Sequence, residues 1–228
     1  SDVSVPTSCV FERTGSQAAT DAEPGSLAWI GAANPDWYFS NTDRNKYRGW
    51  QEVAYGGANS NTGAFRNNYA TCRESGPVPL TDNKAALKAH VNSLTAGGGT
   101  AGHLGIAWGW YMIAPDWDNV WPSGSDPLGY DEPDSAKAMI IMTDGDFLNW
   151  HNSGEGSSFD QAKKLCDNIK DEGIRVYTVA FKAPTQGKQI LEYCASGTEF
   201  AFKAESADEL TDAYTKIAQS ISDLRITY

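Results

Sequence analysis

Lys137-Ala-Met-Ile-Ile-Met-Thr-Asp-Gly-Asp146 decides how this 228-residue chain reads. A short, continuous apolar run that ends in a carboxylate has the length and composition of a strand covered on both faces, the usual state of a strand in a parallel sheet. Asp144 then stands at the carboxyl end of that strand, where open α/β sheets receive their ligands. Gly145 behind it lets the backbone turn sharply and come close to a ligand.

The flanking sequence supports the same layout. Downstream, Ser158 and Gln161 have capping-box spacing and predict a helix with Phe159, Ala162, Leu165, Cys166 and Ile169 on its inner face, stopped by Gly173. Ile174 to Phe181 reads as a second strand, and a short helix around Gln189 to Cys194 and a brief strand from Glu199 to Lys203 follow. Ser206 and Glu209 cap a last helix that aligns Leu210, Ala213, Tyr214, Ile217, Ile221 and Leu224. Upstream, Asp82 is the predicted N-cap of a helix carrying Leu87, Val91 and Leu94, which Gly97-Gly-Gly-Thr100 ends. An apolar helix from about Leu104 to Ile113 comes next, then a loop over 115–135 with six acidic residues and no Lys or Arg. Helices alternating with buried strands predict an α/β fold with a mostly parallel sheet. Residues 1–80, dense in Gly, Asn, Ser, Pro and aromatics, read as an irregular insert ahead of an α/β domain over 81–228.

Composition excludes several functions. Eighteen basic against 29 acidic residues, a formal net charge of −11, argue against a nucleic-acid partner, which needs a basic face. The longest apolar run, Ala138 to Met142, is too short to span a bilayer. Cys9, Cys72, Cys166 and Cys194 contain no C-x-x-C, so a zinc ribbon or a thioredoxin-type motif is excluded on spacing. Of three possible pairings, Cys9–Cys72 with Cys166–Cys194 is the most economical, and four reduced thiols are the alternative. Bridged cysteines imply an oxidising compartment; as no signal peptide opens the chain, it would then be a mature or excised piece.

Gly97-Gly-Gly-Thr100 presents a hydroxyl at a helix start, a second oxygen of the kind that magnesium or calcium accepts. Gly-Gly-Thr followed by an apolar strand and Thr-Asp-Gly resembles the von Willebrand factor A family, whose metal-ion-dependent adhesion site combines an Asp-x-Ser-x-Ser loop, a Thr loop and an Asp loop. Gly98-Gly-Thr-Ala-Gly102 leading into Gly105 to Met112, Lys137 to Gly145, Cys166-x-x-Ile-Lys170, Val176 to Val179 and Leu224-Arg225 look like the TadG-type proteins of tight-adherence (Flp) pilus systems. Cys9-Val-Phe-Glu-Arg13 fits the insert of that group.

The resemblance implies a von Willebrand A-like, Rossmann-type sheet in a bacterial envelope or surface protein that adheres or takes part in pilus assembly. Its partners would be pilus or envelope proteins, or a surface ligand. Thr100 and Asp144 are the matching metal positions, with Asp146 beside them for a partner. The Asp-x-Ser-x-Ser strand has no counterpart: Asp2-Val-Ser4 mimics its start, but no apolar strand precedes it and Pro6 stands in place of the second Ser. The expectation is therefore a domain without its first strand, or a piece of a longer protein, with Mg²⁺ or Ca²⁺ held weakly or not at all.

The residues admit one other function and the resemblance another. Ile140 to Asp146 also satisfies the apolar-run-Asp-x-Asp pattern of metal-dependent glycosyltransferases, although no nucleotide-binding half precedes it. A structural pilus-assembly scaffold with a vestigial site is the other. His90, His103 and His151 lack metal-ligand spacing, and Asp116, Asp118, Asp126, Asp131, Glu132 and Asp134 lack the regular EF-hand pattern. Trp29, Trp37, Tyr38, Trp50 and Tyr55 could stack on sugars or form the core of the insert.

Overall fold

A computed structural model describes residue 13 and residues 15–23, 77–95, 99–118, 121–133, 135–150 and 153–224. Among the described residues the α-helices and strands are α1 (Lys84–Ser93), α2 (Gly102–Tyr111), β1 (Ala138–Thr143), α3 (Ser158–Asp171), β2 (Arg175–Phe181), α4 (Thr185–Cys194), β3 (Ala201–Ala204) and α5 (Ala207–Leu224). The three strands are parallel in the order β1-β2-β3, with Ile140 opposite Tyr177 and Thr178 opposite Ala201. This is the α/β architecture with flanking helices that the alternating pattern predicts.

Strand alternation divides the core into two layers. Met139, Ile141, Val176 and Ala180 pack into one cluster with Ile106 and Ala107 of α2, Leu165 and Ile169 of α3, and Ile190 and Leu191 of α4. On the opposite face, Tyr177 and Val179 meet Ala213 and Ile217 of α5, with Phe200 and Phe202 alongside. Cys166 and Cys194, both fully buried, join α3 to α4 by the predicted disulfide, with Cα atoms 5.1 Å apart. Cys9 and Cys72, and the aromatic residues singled out between 29 and 55, lie outside the described residues.

Three local expectations are corrected. β1 is not covered on both faces: Ile140 and Met142 are 40% and 49% exposed, because α5 covers β2 and β3 but leaves β1 at the edge of the described sheet. The N-cap of α3 is Ser157, which exchanges capping-box bonds with Asp160; Ser158 is instead buried against His103, with Nδ1 2.7 Å from the hydroxyl. Asn83, not Asp82, caps α1, its side chain accepting from the Ala86 N–H at 3.0 Å. The apolar stripe of α1 is exposed, Val91 at 62% and Leu94 at 53%.

Residues 13 and 15–23 pack on this core. The Arg13 guanidinium is buried 5.7 Å from the Tyr111 ring and 5.4 Å from Trp117, and donates to the carbonyls of Thr20 and Ala22 at 3.0 and 2.9 Å. Trp117 Nε1 donates to the Asp21 carbonyl at 2.8 Å, and Asn168 Nδ2 donates to the Ala19 carbonyl at 2.6 Å. A buried guanidinium is stable where its donors meet acceptors or an aromatic face; the carbonyls of Thr20 and Ala22 supply the acceptors, and Tyr111 and Trp117 supply the faces. Tyr130 donates to Asp21, and burial together with that carboxylate raises its phenol pKa. Among the described residues no helix is long and apolar enough to cross a membrane.

Candidate functional site

Two loops remote in sequence meet at the carboxyl rim of the sheet. The Thr100 carbonyl accepts the N–H groups of Leu148 and Asn149 at 3.0 and 2.9 Å, joining the turn before α2 to the loop after β1. The contact is tight because glycines face it. A Cβ on Gly102 would lie 2.2 Å from the Phe147 ring, and one on Gly99 would lie 2.0 Å from Asn149 Nδ2. A Cβ on Gly145 would lie 3.5 Å from Thr100 Oγ1, so the threonine hydroxyl stands beside the Asp144-Gly145 turn. The structure thus places Thr100 beside the Asp144-Gly145 turn at one rim.

Thr143 shapes the tip. Its Oγ1 accepts the Gly145 N–H at 3.1 Å and donates to the Gly145 carbonyl at 3.2 Å, closing a side-chain turn around Asp144. Asp144 is exposed, and among the described residues no hydrogen bond or ion pair engages its carboxylate. Asp146 is placed differently. Its Oδ1 accepts the Gly187 N–H at 2.8 Å, at the third residue of α4, a helix whose N-cap Pro184 offers no side-chain oxygen. Asp146 therefore supplies from a distance the cap that α4 lacks, and its charge suits the helix amino terminus. Gly187 is required by the same contact, since a Cβ there would lie 2.5 Å from the Gly145 carbonyl oxygen.

Below Thr100 runs a groove of about 240 Å³ between α2 and the outer edge of β1. Gly102, Gly105 and Gly109 leave room on the helix side, and Met139, Ile141 and Phe147 make the walls apolar. Nothing lies within 4 Å of a Cβ placed on Gly105. Leu148 and Trp150, in the loop that carries Asp144, are 61% and 46% exposed.

Among the described residues the donors at this rim do not complete a divalent-ion site. Thr100 Oγ1 and the Asp144 carboxylate are two protein groups, whereas Mg²⁺ takes six oxygens and Ca²⁺ six to eight. Among the described residues no group of three His, Cys, Asp or Glu side chains gathers to hold a metal. Sequence reasoning missed Thr143, Gly187, Phe147 and the His103–Ser158 pair. Thr-Asp-Gly was a readable turn signal, but Gly187 reveals its role only once α4 is docked on the loop.

No protein-family model matches the chain, and no curated protein matches it. Among solved structures it is similar to proximal thread matrix protein 1 from the mussel byssus in crystal form 2, at 20% identity over 60% of this chain and 29% of that one, with a TM-score of 0.39. It is similar at the same identity and TM-score to the structure of that protein with a zinc-occupied MIDAS motif, over 60% of this chain and 28% of that one. The chain spans under a third of the length of those proteins.

Proposed function

We propose that this chain is a non-catalytic protein-interaction module that receives its partner at the carboxyl rim of the sheet. The observation that supports it is the meeting of the Thr100 turn with the Asp144 turn, which leaves a hydroxyl and an unpaired carboxylate outward on a tightly packed base. No general base, nucleophile or phosphate cradle accompanies them among the described residues, so the rim is suited to capture rather than turnover. Asp144 makes the contact, Thr100 borders it, and Asp146 holds the loop and leaves one oxygen for a partner. With two protein groups, Mg²⁺ or Ca²⁺ would need water and partner oxygens to complete its shell.

The sequence resemblance makes the setting a bacterial tight-adherence pilus system and the partners pilus or envelope proteins, or a surface ligand. The Cys166–Cys194 bridge suits the oxidising envelope or cell surface. The test is surface plasmon resonance between this chain and the purified pilus and tight-adherence proteins of its own system. Asp144→Ala and Thr100→Ala are expected to weaken capture at least tenfold without changing thermal unfolding. Capture unchanged by both substitutions, or turnover of a nucleotide sugar, refutes the reading.

A further inference from the structure

We infer that the rim recognises a lysine or arginine side chain of a partner, with a neighbouring aliphatic residue seated in the groove along β1. This rests on the interaction-module reading and names the chemistry of its ligand.

The acidic half of the argument is the unpaired Asp144 carboxylate, exposed on a chain of net charge −11. Among the described residues, Lys188 of α4, which follows Gly187, and Lys182, which follows β2, already have partners. Lys188 pairs with Glu205 at 3.1 Å, and the Lys182 ammonium lies 5.4 Å from the Phe181 ring. Two protein donors fall short of a metal shell, but one carboxylate beside a hydroxyl is enough for an ammonium or guanidinium group, which brings its own donors. The exposed Trp150 in the same loop offers an aromatic face, which favours a cation further.

The apolar half is the groove. Thr100 and Thr143 line its end next to Asp144, and Ile106, Met139, Ile141 and Phe147 line its depth. An aliphatic side chain entering there replaces water against apolar walls, while the cation beside it stays at the hydrated rim. Charge complementarity selects a basic partner over a second copy of this acidic chain. A metal-bridged acidic partner would place its carboxylate against Asp144, and among the described residues no group of three His, Cys, Asp or Glu side chains gathers to hold the bridging ion.

The experiment titrates the ¹⁵N-labelled chain with the blocked tripeptide Leu-Lys-Leu in EDTA, with Leu-Glu-Leu as the comparison. Leu-Lys-Leu is expected to shift the amides of Gly99, Thr100, Gly145 and Leu148 together with Gly105, and Asp144→Asn to raise its Kd about fivefold. Gly105→Ala, which puts a methyl into the groove, is expected to raise Kd without altering the salt dependence. Equal shifts from Leu-Glu-Leu, shifts that need added Mg²⁺, or no shifts overturn the inference. So do concentration-dependent rim shifts of the chain alone, which would assign the rim to a second copy. If pilus-protein capture still depends on Asp144 while Leu-Lys-Leu is inert, only this inference falls and the interaction-module reading stands.

Discussion

Gly187→Ala tests how the candidate rim is supported. The new methyl would start 2.5 Å from the Gly145 carbonyl oxygen and 3.3 Å from its carbon, both backbone atoms with no rotamer to escape into. Restoring an ordinary contact requires the loop to retreat by about 1 Å. That retreat breaks the 2.8 Å bond from the Gly187 N–H to Asp146, because it is already near its optimum. Overpacking costs about 1–3 kcal/mol and loss of the bond to a charged acceptor about 1.5–3 kcal/mol, offset by about 1 kcal/mol of helix propensity gained by alanine. The net expectation is a loss of about 1.5–5 kcal/mol, or about 3–20 °C in Tm. Differential scanning calorimetry reads the loss, and amide shifts locate it at residues 99–102 and 143–149. A variant as stable as the parent refutes the claim that the Asp144 turn rests on α4.

Gly105→Ala should do the opposite: the site is mid-helix with open space around its Cβ, so stability rises by about 0.5–1 kcal/mol in urea unfolding. Replacing Cys166 and Cys194 together by alanine opens a bridge with a sequence separation of 28 and should cost about 3–4 kcal/mol, read as a Tm lower by about 6–16 °C. The Glu172 carboxyl has a raised pKa, through burial first and then the neighbouring Asp21, Asp131, Asp171 and Asp116. Its charged form is therefore disfavoured by folding, and that penalty disappears as pH falls through its raised pKa. Glu172→Gln should raise Tm at neutral pH, with the gain vanishing in acid and shrinking in high salt.

Residues that act through periodicity were legible from the sequence, and residues that act through docking were not. Leu165, Cys166 and Ile169 declare the inner face of α3, because the pattern repeats within one element. Ile140 and Met142 misled, since an apolar run looks the same whether a second helix covers the strand or not. Only the arrangement of α5 over β2 and β3 decides that. Ser158 likewise has the composition of a capping box, yet its hydroxyl is 2.7 Å from His103, 55 residues earlier, and the adjacent Ser157 does the capping. At the rim, Gly-Gly-Thr and Thr-Asp-Gly marked Thr100 and Asp144 through local chemistry together with the family resemblance. The capping role of Asp146 was hidden because the helix it serves begins nearly forty residues later.

Asp144 and Asp146 stand two residues apart, and the structure divides their work. Asp146 is half-buried and bonded to the start of α4, so Asp146→Ala removes a helix cap and should cost about 1–2 kcal/mol. Asp146→Asn keeps an acceptor for the Gly187 N–H and loses only the charge at the helix terminus, about 0.3–1 kcal/mol. Asp144 is exposed and unbonded, so Asp144→Ala should change stability by less than about 0.5 kcal/mol. Partner capture should rank in the reverse order, falling most with Asp144→Ala and little with Asp146→Asn. Crossing chemical unfolding with surface plasmon resonance on the three variants separates the roles, because a general loosening of the loop would lower both readouts together. Asp144→Ala proving the more destabilising of the two alanine variants would overturn the division, and with it the picture of a free carboxylate on a rigid base.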